Sequence, residues 1–378
     1  MHAVILAAGA GRRLWPLTAY RPKPMLPVAA RPIIGHVIET ARVAGVDAIT
    51  LVVGYKGDRI RDYVGDGARF DVPVSYVDQQ HQLGTAHALA QAADAVDDVF
   101  LVLNGDQIVE ASAIASVIAA ADQETPAMAV TSVDDPIAYG VVTVTDGWVT
   151  AIDEKPNQTT SGLINAGIYA FDTTIFDVID GLSPDLAGEL SLVAAIEQCI
   201  EDAGVAAIST SGRWVDVTAP GDLLTVGATL QRDPAIDETA SVDATAVVGP
   251  GVTLAADVRV GPHVVLSGDV DVGANVTIGP QVNVEDSVIM PDSHIEATAT
   301  VASSVVGQNV RIGRAAVAVG QILPETEGPD SVVVIGDHSQ IGPAALLEAP
   351  AAVGVDCQVG AGAHLRDRVV DATQVVSR

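Results

Sequence analysis

The stretch VVGPGVTLAADVRVGPHVVLSGDVDVGANVTIG, residues 247–279, repeats itself every six positions. Val248, Leu254, Val260, Leu266, Val272 and Ile278 fall on that period, which runs back through Val242 to Ile236 and forward to Val284. Glycine follows directly at Gly249, Gly261, Gly273 and Gly279. A two-residue strand alternation yields some of the aliphatics, but it does not place glycine after them so often. A second run in a new register holds Ile335, Ile341, Leu347, Val353, Val359 and Leu365. A hexapeptide period predicts a left-handed parallel β-helix with three short strands per turn and the aliphatic side chain pointing inward. Residues 285–334 are less regular, and ILPETEGPDS (322–331) reads as an inserted loop. Exposed coil ends and flat faces invite self-association.

Upstream of residue 233 the pattern changes. Short apolar runs at 3–6, 49–54 and 99–104 end in glycine or polar residues. Helical spacing fills 33–44, 85–93 and 112–121 between and after them. This is α/β, a doubly wound Rossmann-like arrangement on a mainly parallel sheet, whose ligands bind beyond the carboxyl ends of the strands. The 378 residues exceed a single ordinary core. The expected domains are 1–232 and 233–378. Aromatics make up only 3% of the chain, so the cores must be built of Val, Ile, Leu and Ala. No apolar run of about 18 residues is present, and MHAVILAAG lacks the basic start of a leader, so no membrane partner and a cytoplasmic location are expected. Cys199 and Cys357 have no CxxC spacing and are expected as buried free thiols.

The net charge is −29, from 48 acidic and 19 basic residues, and only Lys23, Lys56 and Lys155 are lysines. The acidity is spread over both parts, with no acidic tail. Nucleic acid is disfavoured as a partner. A uniform acidic, lysine-poor surface suits molar salt, where the Debye length falls to about 3 Å, and the composition resembles that of halophilic archaeal proteins.

Against that background AAGAGRRLWPLTAYRPKPMLPV (7–28) is unexpectedly basic. It is neither the dinucleotide fingerprint, because Leu14 holds the third glycine's place, nor a P-loop, because no GK[ST] follows. Gly9 and Gly11 let backbone N–H groups approach an anion. Arg12 and Arg13 offer planar donors for phosphate oxygens, and Pro22 and Pro24 stiffen the chain around Lys23. Arg21, Arg31 and Lys56 are further candidate phosphate groups.

The motif GxGxRLxPLTxxxPKPMLPV resembles the opening of the sugar-1-phosphate nucleotidylyltransferases, and the likeness continues through the chain, coil included. The resemblance implies roles for individual residues. Gly9, Gly11 and Arg13 resemble the triphosphate loop, and Lys23 resembles the lysine that steadies the reacting phosphates. In DQQHQLGTAHAL (78–89), Gln79 stands where a pyrimidine edge is read, with Gly84 and Thr85 against the base. Asp106 in LNGDQ and Asp216 in RWVDVTAP resemble the two Mg²⁺ ligands. Gly140, Glu154, Lys155 and Asn165, in AYGVV, DEKP and NAGIY, resemble the sugar-phosphate side. Glu189 and Asp222 are weaker candidates for the pocket.

The implied substrates are UTP or dTTP and a sugar 1-phosphate, glucose 1-phosphate or N-acetylglucosamine 1-phosphate, with a homo-oligomer, a trimer by resemblance, built through the β-helix. The phosphate nucleophile is already anionic, so no catalytic His or Ser is expected. Two alternatives stay open. One adds acetyl transfer from acetyl-CoA in the β-helix, but GRAAVAVGQILPE (313–325) lacks the Asn, Arg and His that related bifunctional proteins carry there. The other is a non-catalytic sugar-nucleotide-binding subunit, against which the intact Gly11, Arg13, Lys23, Asp106 and Asp216 argue.

Overall fold

The structure is a computed structural model. It describes all residues except 122, 160, 231–234, 321–330 and 376–378. The inserted loop expected at 322–331 lies almost wholly outside the described residues. The chain forms two compact units, one of Met1–Ala10 with Ile33–Asp216 and one of Gly11–Pro32 with Val217–Arg378.

The first unit is built on strands β1 (His2–Ala7), β2 (Ala48–Val53), β3 (Val74–Asp78), β4 (Phe100–Asn104), β5 (Gln107–Val109), β6 (Ala127–Ser132), β7 (Gly140–Thr145), β8 (Trp148–Glu154), β9 (Leu163–Phe171), β10 (Val205–Ser209) and β11 (Trp214–Asp216). Nine of them form one sheet in the order β3-β2-β1-β4-β9-β6-β10-β8-β7. Helices α1 (Ile33–Val43), α2 (Asp58–Val64), α3 (Thr85–Ala90) and α4 (Ala111–Ala121) alternate with the early strands.

Strands β1 to β4 pair in parallel, as the alternation predicts. The rest of the sheet is mixed rather than mainly parallel: β10 pairs in parallel with β6, but the other pairings are antiparallel. β9 runs antiparallel to β4 and β6, and β8 runs antiparallel to β10 and β7. The cause is local. β7 and β8 are a hairpin turned by Asp146 and Gly147, at φ +51° and +85°, which is the geometry of a type I′ turn. The core is aliphatic, with Phe100 and Phe171 as its largest fully buried side chains. Cys199 is buried and free, as is Cys357 in the second unit.

In the second unit, α5 (Asp222–Leu230) precedes a stack of short parallel strands. Along one face Ser241, Arg259, Thr277, His294, Arg311, Gln340, Gln358 and Gln374 pair in succession. Each residue is thus laid over its counterpart one turn earlier. The six-fold aliphatics from Leu254 to Val284 and from Ile335 to Val359 are all buried, in one continuous core. Ile236, at the coil's start, is 47% exposed.

The coil does not lapse over the described part of the less regular stretch. Early turns advance by 18 residues, as in the bond from His263 N to Thr245, whereas Ser304 N bonds Ser287 17 residues back. One residue is lost per turn at a corner, and Ile289, Ile295, Val301, Val306 and Ile312 keep filling the interior. A strict six-residue count misses this because pairing needs turns to match their neighbours, not a constant length. Buried Ser293 and Ser339 bond the backbone of adjacent turns and satisfy its polar groups. No helix among the described residues is long and apolar enough to cross a membrane.

Candidate active site

In the first unit the parallel strands β1, β2 and β3 end side by side, and the segment after each is tied to the next. Ala8 O accepts from Tyr55 N at 3.1 Å and from Gln82 Nε2 at 2.8 Å. Gly9 has open space where a Cβ would stand, so its backbone is accessible. Gln79 N donates to Val53 O at 2.8 Å, which continues the β2–β3 ladder by one residue. The Gln79 side chain is buried, with Nε2 donating to Gly84 O and lying 3.0 Å from His87 Nδ1.

Gly84 is required twice over. Its φ is +100°, and a Cβ there would stand 2.3 Å from Leu190 O. Leu190 N and O bond to Leu83 O and Ala86 N, and Thr85 Oγ1 accepts from Leu192 N at 2.9 Å. The segment 190–192 therefore pins the turn that holds Gly84 and Thr85. It carries no motif of its own, so the sequence offers no signal for it.

Asp106 and Asp216 are far apart in sequence and adjacent in the fold. β11 pairs antiparallel with β5, and Asp216 stands opposite Gln107, the residue after Asp106. Both aspartates are half-buried. Among the described residues no group of three or more His, Cys, Asp or Glu could hold a metal. A pair of hard carboxylates suits Mg²⁺, which commonly takes one or two protein carboxylates and completes its shell with water and substrate phosphates. The donor set fits that ion.

The sugar-side residues also converge. Gly140 pairs with Glu154 across β7 and β8, and a Cβ on Gly140 would lie 3.0 Å from Glu154 Oε2 and 3.8 Å from Asn165 Cβ. Asn165 sits where the β9–β6 register breaks, and its Oδ1 accepts from Gly167 N at 3.0 Å. Gly167, at φ +72°, leaves the space that Gln107 Oε1 and Asn104 Nδ2 occupy. Burial pushes the neighbouring Tyr169 phenol strongly up, and a hydrogen bond with Asn165 pulls it partly back. Lys155 is held at φ +48° by the bond from its N to Tyr139 O, with Nζ 3.4 Å from Glu154 Oε1. Trp214 joins the two groups: its Nε1 donates to Ala166 O at 2.9 Å and its ring meets Tyr139 edge-on at 5.0 Å. The sequence shows this tryptophan beside the candidate aspartate but does not reveal the link.

Gly11, Arg13 and Lys23 belong to the second unit. Gly11 has φ +61°, and a Cβ there would stand 2.8 Å from Lys23 Cβ, so the glycine permits the direct approach of Lys23. Gly11 O accepts from Leu14 N and Thr18 Oγ1. Arg12 and Arg13 are exposed on the short turn that follows, while Leu14 beneath them is buried. Pro22 and Pro24 are buried on either side of Lys23.

Two weaker candidates have structural partners. Asp222 accepts from Thr218 N and Ala219 N at the start of α5, and Glu189 is an exposed residue of a tight turn closed by Asp185. Arg21, a candidate phosphate group from sequence, is instead buried and paired with Asp337 at 2.6 Å.

Comparison with known proteins places the chain in a family. Residues 2–233 match the nucleotidyl transferase family model, and 255–325 match that of the GMPPB C-terminal domain. The bifunctional protein GlmU of Methanococcus maripaludis is 39% identical over 59% of this chain and 53% of its own length. The chain thus matches about half the length of the GlmU relatives. The low-salt glycan biosynthesis nucleotidyltransferase Agl11 of Haloferax volcanii is 35% identical over 90% of this chain and 99% of its own. A solved Bacillus anthracis structure, described as a glucose-1-phosphate thymidylyltransferase in complex with a sucrose, is 28% identical, with a TM-score of 0.57, over 61% of this chain and 95% of that one. The chain belongs to the nucleotidyl transferase family.

Proposed function

We propose that the protein is a sugar-1-phosphate nucleotidylyltransferase that makes a nucleotide sugar and pyrophosphate from a pyrimidine nucleoside triphosphate and a sugar 1-phosphate. The observation that supports this reading is the β5–β11 pairing, which sets Asp216 opposite Gln107, the residue after Asp106, in a family whose relatives are named for nucleotidyl transfer. In the reaction a phosphate oxygen of the sugar 1-phosphate bonds to the α-phosphorus. The bond from that phosphorus to the bridging oxygen breaks, and pyrophosphate leaves with the electron pair. The nucleophile is anionic near neutral pH and needs no base.

The difficulty is bringing two polyanions together, and this chain's cations address it. Gly9 and Gly11 would present backbone N–H groups to the triphosphate, Arg13 and Lys23 would balance its developing charge, and Lys155 would meet the sugar phosphate. Mg²⁺ held by Asp106 and Asp216 would supply further neutralisation of the phosphates. Glu154 and Asn165 offer acceptors and a donor to sugar hydroxyls, and the absence of a side chain at Gly140 leaves room for the ring. Gln79 would read the base through its carbonyl oxygen, which accepts from the imide N–H of uracil or thymine, because its Nε2 is already engaged by Gly84 and His87. Gly84 and Thr85 would pack on the base.

The coil is read as a left-handed hexapeptide β-helix that begins near residue 233 and associates into a homo-oligomer, a trimer by resemblance. Nucleoside triphosphates as substrates imply cytoplasmic work, and the acidic surface implies high salt. The test is pyrophosphate release from UTP, dTTP, ATP and GTP against glucose 1-phosphate and N-acetylglucosamine 1-phosphate, in molar KCl with Mg²⁺. Turnover confined to pyrimidine substrates is expected, and no release in any combination would sink the reading. Acetyl-CoA with glucosamine 1-phosphate in the same assay tests the coil for acetyl transfer.

A further inference from the structure

The segment Gly11–Pro32 is anchored along one corner of the coil, turn after turn. Ala30 N donates to Asp271 Oδ2 at 2.8 Å. Arg21 reaches Met290 Sδ, Gln308 Oε1 at 3.1 Å and Asp337 Oδ2 at 2.6 Å. Tyr20 OH donates to Asp356, and its ring meets His338 edge-on at 5.4 Å. Trp15 lies under the Arg368 guanidinium at 3.7 Å and donates to Asp371. The Arg21–Asp337 pair is the buried member of this series, with side chains 10% and 2% exposed. Asp337 is itself fixed, since its Oδ1 accepts from Gln308 N at 2.8 Å.

A buried ion pair is an expensive way to obtain cohesion, because each charge loses its hydration, and well-packed apolar residues often serve as well. Its particular strength is to fix register. The register here is transmitted through stiff chain. Pro22 follows Arg21 with φ −74° and ψ 159°, Met25 N bonds back to Pro22 O, and Leu26 N to Lys23 O. Lys23 thus sits two residues from a buried anchor, in a backbone with little freedom left, its Cβ against Gly11.

We propose that the coil is a positioning element for the phosphate-binding segment, and that Arg21, locked to Asp337, is the positioning residue that sets Lys23. The proposal rests on the nucleotidylyltransferase reading for the role of Lys23, and the experiment separates the two. Wild-type full-length chain is assayed first for pyrophosphate release, and its silence counts against the reaction. Arg21→Gln, Asp337→Asn and the double variant are then compared at a temperature where circular dichroism shows each folded. Arg21→Gln is expected to lower kcat at least ten-fold. In a Lys23→Ala background the same change is expected to move the residual rate less than two-fold, because Arg21 acts through Lys23. The double variant replaces a stranded buried carboxylate by a neutral hydrogen-bonding pair and is expected to recover part of the rate; it also serves if Arg21→Gln does not fold. Hydrogen exchange supplies a readout independent of turnover. Arg21→Gln, or Asp337→Asn where the former fails to fold, is expected to speed exchange across 12–26 while the coil's ladder amides stay protected. Unchanged exchange there, a kcat within two-fold of wild type in folded variants, or an equal fold-loss with and without Lys23 would each overturn the proposal.

Discussion

The two units put chemistry on a scaffold in opposite ways. In the sheet unit the candidate residues stand at strand ends and irregularities: Gly84 beyond β3, Asp106 beyond β4, Asn165 at the break in β9. Regularity is the support, and the candidate residues occupy the places where it stops. In the coil unit the regular strands recur among the described residues to Val375, and these residues include none of the sugar-side or metal candidates. Its contribution is a corner column that holds the segment 11–32 in place. A doubly wound sheet generates loops at one edge and so generates sites. A stacked coil generates repetition and so generates ordered rows of anchors.

The contrast breaks first if catalysis and stability are not separable. Asp106→Ala and Asp216→Ala are each expected to lose roughly 10²–10³ in kcat, about 3–4 kcal/mol of transition-state stabilisation, with the melting temperature nearly unchanged in a thermal scan. Near-wild-type turnover by either would remove the sheet unit's claim to the chemistry. Leu347, fully buried in the coil, tests the other side. Leu347→Ala is expected to cost about 2–4 kcal/mol in denaturant unfolding while kcat per folded chain stays within two-fold.

A smaller effect sharpens the account of the anchoring corner. Burial pushes the Asp271 carboxyl up to about 6, against the usual 3.8, with the amides of Ala30 and Ala29 pulling it back. Its Oδ1 is buried with no hydrogen-bond partner. The folded state therefore keeps a proton that the unfolded chain releases between about pH 4 and pH 6, and this group's contribution to stability falls as pH rises through that window. Asp271→Asn is expected to add on the order of 2 kcal/mol at pH 7 and nothing near pH 4. Equal unfolding midpoints for the two proteins at pH 7 would refute it. The smallest change expected is Glu296→Gln, which removes the exposed Glu296–Arg311 pair. It should alter stability by less than about 1 kcal/mol, and by still less in molar salt.

Much of this was legible in the chain. The strands at 3–6, 49–54 and 99–104, the helices among them and the inward aliphatics of the coil follow from periodicity, because backbone geometry imposes the same period wherever it occurs. The mixed sheet was not foreseen: the alternation pointed to mainly parallel pairing, and the Asp146-Gly147 turn that makes β7 and β8 antiparallel was not read as a hairpin. The candidate site was legible as a set of residue types, glycines for close approach and scarce cations spared in an acidic protein. Its arrangement was not. Nothing in the spacing announces that Asp216 faces the neighbour of Asp106, that Leu190 closes over Gly84, or that Gln79 turns its amide nitrogen back on its own loop.

Arg21 marks the division most clearly. From sequence it is a further candidate phosphate group, with Arg31 and Lys56. Its partner lies 316 residues away, and burial against that partner makes it an anchor instead. Composition, local period and motif chemistry are properties of neighbours in the chain, so the sequence alone determined the elements, the α/β pattern followed by a parallel coil, and the family. Only the tertiary structure decided which charges face solvent and which are locked away. That depends on the desolvation of groups brought together from distant positions, a cost that no local pattern records.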